Sequence, residues 1–586
     1  MLQRSAPARL RFFARWVLPV IALGLGAAYR VELSVGLPVG YDEVFVIAVG
    51  LLEMEASKAA FWLEVPMQRS SALAPLWWWV EYLPFKLLGD VTQAGVRIMP
   101  LLCSLTIPVL GYFASRRRFG RRAALGFALF LSLSDVLAYC TVRAEFFESL
   151  LMLAVVPLVC GVGRPQRGAG RGVLWAAMLL TFFGKALFII GLNVVAEGVV
   201  LAFARGRRAR QAASLLVSLG IAAAPVALWF FAAHEHYQHG VIRHEAMPAA
   251  RGVGELIRGI TLGYGDVKRH VVGSSADAAL VYLDARVWPV TALSSGLLVL
   301  GLVCGASSAL RSLRAGWTRL RLTQTGLSVW AAGGAAYVLL SGTAGARFHL
   351  MYLPAAWLLA ATSVTRLAKL KTGQKFILAV SVLLLAIPSL GWVEWSAESW
   401  SPHRAVRAAI VLGVVLVALG ALGRATAKWT GNSWALPAAL TGGLVLLVAG
   451  PLRWGPAALF EPMYSAEAGD ADRPPYTDAL LAVDARSAGR SKRIERRPET
   501  LEVLLSNYFR TLQEPDVTNA VHYADRAVLN NPEDVLAWTY LGLATDLTDT
   551  SIEERRAIWK KALDLKPDSA FLRQRHEAVM RETVDD

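Results

Sequence analysis

The stretch Arg116–Ser134, RRRFGRRAALGFALFLSLS, sets five arginines within seven residues against a run without charge. An equally apolar run, about residues 97–113, precedes it, so the arginines mark a tight turn between two segments long enough to approach the ~20 residues that cross a bilayer. Further runs of this kind lie at about 12–30, 144–162, 172–204, 212–233, 286–308, 325–342, 349–366, 376–392, 405–423 and 434–451. The run 172–204 is too long for one crossing and is interrupted at Gly184-Lys185, which divides it in two. The count is about thirteen spans.

Composition agrees. Of 586 residues, 55% are hydrophobic and the mean hydropathy is +0.45, above the roughly 45–50% apolar content of soluble domains. The chain is expected to be an all-α polytopic membrane protein.

The net charge of +16 invites a nucleic-acid reading, but its distribution argues otherwise. Arg116–Arg122, Arg205–Arg210 and Arg366–Lys375 fall in short loops between alternate spans, as the positive-inside rule requires of cytoplasmic loops. The N-terminus, with Arg4, Arg9, Arg11 and Arg15, shares that side, and an odd number of spans puts the C-terminus outside. Residues 460–586 carry 17 Lys and Arg against 24 Asp and Glu, leaving the first 459 residues strongly basic. The basic balance is topology, and nucleic acid is not an expected partner. A cleaved signal peptide is the alternative reading of the first run, because Arg precedes it and LGAA follows; the parity of the later basic loops favours a retained span. Cys103, Cys140, Cys160 and Cys304 all lie in or beside apolar segments and imply no disulfide framework.

On this topology Asp42 and Glu43, in GYDEVF, stand at the exterior membrane edge. Two aromatic-rich amphipathic stretches follow, LLEMEASKAAFWLEV and SALAPLWWWVEYLPFKLLG, suited to lie along the interface. A second long exterior loop, about 233–286, is polar.

These segments together resemble the GT-C fold glycosyltransferases, and more narrowly the superfamily of protein mannosyltransferases and lipid A aminoarabinose transferases. The resemblance is carried, over about residues 10–366, by YDE at Tyr41–Glu43 and Pro-Leu-Trp-Trp at Pro75–Trp78. The basic turn, VRAEFFESLL from Val142, Lys185 in FFGKALF, and ARFHLMYLP with Arg347, Tyr352 and Pro354 complete it. It implies transfer of a sugar from a polyprenyl-phosphate donor to an envelope acceptor at the exterior face of the membrane, and the arginine- and alanine-rich chain with exterior repeats suggests a bacterial inner membrane. Asp42 would be the general base, Glu43 its supporting carboxylate, and Glu145 a further acid. Arg143, Lys185, Arg347 and Tyr352 would bind the donor, the cations meeting its phosphate. The plainer readings stay open: Asp42 and Glu43 as a helix-start pair, Lys185 as a snorkelling lysine, Arg347 as a surface cap, and Glu145 as an interface partner of Arg143.

HEHYQHG supplies His234, His236 and His239, whose imidazoles could seat a divalent ion. Some relatives add an acid before the Pro-Leu helix; here RSSALAPL has none beside Pro75.

Residues 1–455 are expected to form the membrane domain, 456–500 a polar linker, and 501–586 a soluble helical domain on the exterior side. In the last, DRAVLNNPEDVLAW and KKALDLKPDSAFL align with Ala527 over Ala562 and Pro532 over Pro567, a period of 35 that resembles tetratricopeptide repeats. A repeat module of this type implies a periplasmic protein partner. Two rivals remain from other classes. A non-catalytic scaffold would act through the repeats and tolerate substitution of Asp42. A lipid-linked-substrate transporter would place ionisable residues deep in several spans, whereas the helix centres read as nearly free of charge.

Overall fold

The computed structural model describes residues 18–36, 48–56, 75–88, 91–144, 147–164, 168–181, 183–203, 208–232, 318–341, 346–367, 501–512, 514–567 and 569–582. They divide into two compact units: one holds residues 18–36, 75–81 and 97–367, the other 48–56, 82–96 and 501–582. Among the described residues all regular structure is helical.

In chain order the described helices up to residue 367 are α1 (Leu18–Gly36), α2 (Val49–Ala56), α3 (Pro75–Leu88), α4 (Gln93–Leu133), α5 (Asp135–Val142), α6 (Glu148–Gly161), α7 (Gly168–Thr181), α8 (Phe183–Phe203), α9 (Arg208–Ala232), α10 (Arg319–Ser341), α11 (Ala346–His349) and α12 (Leu353–Leu367); α2 belongs to the second unit, and α3 and α4 each have residues in both. Three of the described helices are long and apolar enough to cross a membrane: Gly95–Leu133, Ala186–Phe203 and Arg208–Leu228. The first is in fact two. Gly120, at φ 85° and ψ 160°, breaks α4 inside the arginine turn, a backbone geometry that glycine alone adopts without strain. The turn expected between two spans is therefore present. The second of those spans ends earlier than its apolar run because Ser134 caps a new helix, its hydroxyl accepting from Leu137 N, as serine does at helix starts.

Long apolar helices leave their last carbonyls without partners, and here arginines from other helices, buried or half-buried, supply the missing donors. Arg30 of α1 donates to Leu131 O at 2.6 Å and to Ser132 O, at the end of α4, and also to Ser104 Oγ at 2.9 Å. Arg97 donates to Ser34 O in the last turn of α1 at 2.9 Å. Arg118 donates to Cys160 O at 3.3 Å and to Val162 O at the end of α6, and to Thr323 of α10. A guanidinium suits this task, having several fixed donors and a charge that opposes the negative end of the helix dipole.

The helix interiors are thus less free of charge than their sequence suggests. Arg171 of α7 and Glu197 of α8 form an ion pair at 2.8 Å with both side chains 4% exposed, and Glu197 also accepts from Gly163 N at 3.1 Å. These groups face each other or helix ends, which offsets the cost of removing them from water.

Packing runs α7 on α9, α7 on α6 and α8, α8 on α10, and α10 on α12, with α1 against α5. The core is dominated by large side chains, among them Trp77, Trp175, Trp330 and Trp357.

In the second unit Glu55 of α2 accepts from Tyr82 and from Lys86, each at 2.6 Å. That hydrogen bond to Glu55 holds the Lys86 ammonium above its ordinary pKa, though both partners are open to solvent and the pair adds little stability.

The same unit holds α13 (Leu501–Arg510), α14 (Val517–Asn530), α15 (Val535–Thr545), α16 (Ile552–Leu565) and α17 (Ala570–Arg581). The 35-residue period of the sequence recurs in the architecture. Helix α16 is α14 displaced by 35 positions at both ends, N-cap Asp516 corresponds to Ser551, and Asp534 to Ser569. Trp538 donates to Pro532 O at 2.8 Å, and Arg573, 35 positions later, to Pro567 O at 3.1 Å. Each helix packs on the next, and α13 packs on both α14 and α15. Ala524, Leu541 and Ile558 form one core cluster, and Trp559, Ala562, Leu572 and Val579 another. Gly542 carries the closest approach: a Cβ there would lie 2.6 Å from the Trp559 ring.

Candidate functional site

At the end of the first unit opposite Arg118, segments far apart in sequence meet. The aromatic helix α3 enters through Trp77, fully buried, whose Nε1 donates to Ala144 O at 3.1 Å. The same indole meets the Phe147 ring edge-on, with centroids 5.5 Å apart. The two motifs Pro75–Trp78 and Val142–Phe147 are joined by these contacts.

Beside Ala144 lies Arg143, 4% exposed, where the chain leaves α5 in an extended conformation. Its Nη1 donates to the Tyr139 hydroxyl and its guanidinium lies 5.3 Å from that ring's centroid. Tyr139 therefore holds a planar cation by both hydrogen bonding and cation–π attraction. Glu148, in the first turn of α6, is buried at 2% exposure.

The late motif reaches the same place. Helix α11, which carries Arg347, packs on α5 and on α10. His349 Nδ1 and the Tyr352 hydroxyl are 3.1 Å apart, both side chains buried. Trp330 Nε1 fixes the following turn by donating to Met351 O at 2.9 Å. Tyr352 needs room against α10, and a glycine pair supplies it. A Cβ on Gly334 would sit 2.5 Å from Tyr352 Cβ, and one on Gly333 would sit 3.2 Å from Leu192 of α8.

Lys185 is the third residue of α8. Twelve residues, about 18 Å of helix, separate it from Glu197, which bonds Gly163 and Arg171 at the Arg118 end. Lys185 therefore belongs to the Arg143 end. One turn further on, Phe188 stacks on Tyr337 of α10 with centroids 4.0 Å apart.

Of the residues singled out in the sequence, Arg143 and Tyr352 are placed with their side chains, and Lys185 and Arg347 by their helices. Asp42, Glu43, Glu145, His234, His236 and His239 lie outside the described residues. Among the described residues no group of His, Cys, Asp and Glu could hold a metal ion. Four residues of this end were missed by the motif reading: Trp77 as an anchor, Tyr139, His349 and Gly334. A Tyr four positions before an Arg, and a paired glycine in an apolar span, were the available signals.

No protein-family model and no curated protein matches the sequence. Among solved structures the chain is similar to ArnT from Cupriavidus metallidurans bound to undecaprenyl phosphate, with 18% identity, a TM-score of 0.48, and coverage of 80% of this chain and 79% of that one. It is also similar to the Archaeoglobus fulgidus oligosaccharyltransferase in complex with Zn and sulfate, with 15% identity, a TM-score of 0.38, and coverage of 67% and 52%. At these identities the likeness is one of fold, and no residue's role is carried across.

Proposed function

We propose that the Arg143 end of the first unit is the active site of a glycosyltransferase that takes a sugar from a polyprenyl-phosphate donor at the exterior face of the membrane. The observation that carries this reading is the convergence of motifs: Trp77 bonded to Ala144, Arg143 stacked on Tyr139, and α11, which carries Arg347, packed on the Tyr139 helix α5.

In the reaction the acceptor hydroxyl oxygen attacks the anomeric carbon. The bond from that carbon to the donor phosphate oxygen breaks, its electron pair leaving with the polyprenyl phosphate, and the hydroxyl proton passes to Asp42. Arg143, Lys185 and Arg347 would neutralise the departing phosphate, the arginines by paired donors and the lysine as a point charge. Glu43 and Glu145 would orient or support the base, and Tyr352 would hydrogen-bond the donor. The acceptor class is an envelope lipid, glycan or protein. A divalent ion on His234, His236 and His239 is a secondary proposal, which metal analysis of the purified protein and of its triple Ala variant tests.

The test is turnover in lipid nanodiscs with polyprenyl-phosphate sugars, wild type beside Asp42→Asn and Arg143→Ala. Donor consumed by wild type and spared by Asp42→Asn supports the reading. Donor bound but consumed by neither protein overturns it.

The recurring 35-residue hairpin favours a second role for residues 501–586, as a tetratricopeptide-like module that binds a periplasmic protein. Deleting residues 465–586 is expected to abolish co-purification of that partner; unchanged co-purification and product would overturn it.

A further inference from the structure

Four buried polar atoms without a hydrogen-bond partner lie on α7 and α8, within a turn or so of the Arg171–Glu197 pair along each helix. They are Arg171 Nε, Trp175 Nε1, and both Nδ2 and Oδ1 of Asn193. Trp175 and Asn193 are fully buried and Arg171 nearly so. Three other buried indoles, those of Trp77, Trp330 and Trp559, each donate to a protein oxygen.

The four atoms share one place for a geometric reason. The Arg171–Glu197 pair at 2.8 Å fixes the register of two antiparallel, consecutive helices. Trp175 is four residues after Arg171 and Asn193 four before Glu197, so each lies one turn along on the same face, both in the same direction. Arg171 already reaches the Trp175 ring, its guanidinium carbon 5.9 Å from the centroid. Buried polar groups are almost always satisfied by protein or by ordered water.

We propose that this seam is a built hydration site, holding ordered water between Arg171, Trp175 and Asn193. The chemistry selects water. Three of the atoms are donors and one is an acceptor, and water can serve both kinds. A small anion would accept from the donors but leave Asn193 Oδ1 unmet and set a second negative charge beside Glu197. An apolar ligand would satisfy none of them. The site is independent of the transferase reading and would exist in a protein of any activity.

X-ray radiolytic footprinting of the full chain in nanodiscs tests it, because hydroxyl radicals made from a bound water oxidise the side chain beside it. Trp175 is expected to be modified severalfold faster than Trp330, which is as deeply buried but bonded to Met351 O. Asn193→Leu, which fills the seam, should bring Trp175 down to the Trp330 rate, whereas Asn193→Ala, which opens it, should not. Equal rates for Trp175 and Trp330 in the wild type overturn the proposal, and need no variant to fold. Protection of Trp175 together with a rise in Tm as chloride replaces gluconate at constant ionic strength would also overturn it, in favour of an anion site.

Discussion

The Trp77 indole and the Ala144 carbonyl, 67 positions apart in the chain, share a hydrogen bond of 3.1 Å in a fully buried setting. A bond of this kind fixes helix α3 to the corner from which Arg143 projects. Trp77→Phe keeps most of the apolar volume and the contact with Phe147 but removes the indole N–H that donates to Ala144 O. A loss of about 1–3 kcal/mol is expected, with Tm lowered and donor turnover reduced more than in a Trp79→Phe control. Equal Tm in the two variants would contradict the anchoring role.

Arg143→Lys separates charge from shape. Lysine keeps the cation yet loses the planar face that lies over Tyr139 and the paired donors. If Arg143 meets the donor phosphate, binding should weaken by roughly tenfold, the equivalent of one such contact at ~1.4 kcal/mol. Titration of undecaprenyl phosphate into wild type and variant reads this directly.

Gly334→Ala places a methyl group where Tyr352 Cβ already stands, 2.5 Å away. Two backbone-anchored atoms cannot both stay, so α10 and the α11–α12 turn must separate, at about 1–3 kcal/mol of overpacking. Gly191→Ala on α8, with nothing within 4 Å of the added atom, is the matched control and should hold or slightly raise Tm, since alanine favours a helix interior over glycine.

Glu197→Leu removes the partner of a buried guanidinium, whose other bonds do not neutralise it. About 3–5 kcal/mol is expected from breaking such a pair, seen as a fall in Tm. The double variant Arg171→Leu with Glu197→Leu should recover much of the loss, since no unpaired charge is then left behind.

In the C-terminal helices, burial raises the pKa of Asp546, against the opposing pull of the Trp559 Nε1 bond at 3.2 Å and of Arg575 and Arg555. An acid whose folded pKa lies above its unfolded one, ~3.9, contributes stability that is complete below the unfolded value. That contribution is lost as pH rises through the folded value. Asp546→Asn keeps an acceptor for Trp559 and removes the titration. Urea unfolding of residues 501–586 should therefore lose less stability between pH ~3.5 and 7 in the variant than in the wild type. A steeper loss in the variant would reverse the sign.

Much of the fold was legible before any coordinates. The arginine turn at 116–122 predicted a break between spans, and Gly120 supplies it. The alignment of Ala527 with Ala562 predicted a 35-residue unit, and the helix limits and caps repeat at that interval. Lys185 marked a division of the long apolar run, and a new helix begins at Phe183. The candidate site was legible only in part. Arg143 and Tyr352 stood out as polar groups in apolar surroundings, but nothing local pointed to Tyr139 as the platform of one or to His349 as the partner of the other. Arg30 and Glu197 were passed over because a single charge barely alters the hydropathy of a window of about 19 residues.

The sequence by itself determined what depends on neighbours along the chain: membrane character, the basic turn between two apolar segments, the division of the long run near Lys185, and the repeat period. Only the tertiary structure decided which distant segments meet. Ala144 has no sequence signal that it will accept a bond from Trp77, Leu131 none that Arg30 will cap it, and Gly334 none that Tyr352 needs its space. Periodicity encodes which face of a helix is apolar, whereas these pairings depend on helix register and closest approach, which packing alone sets.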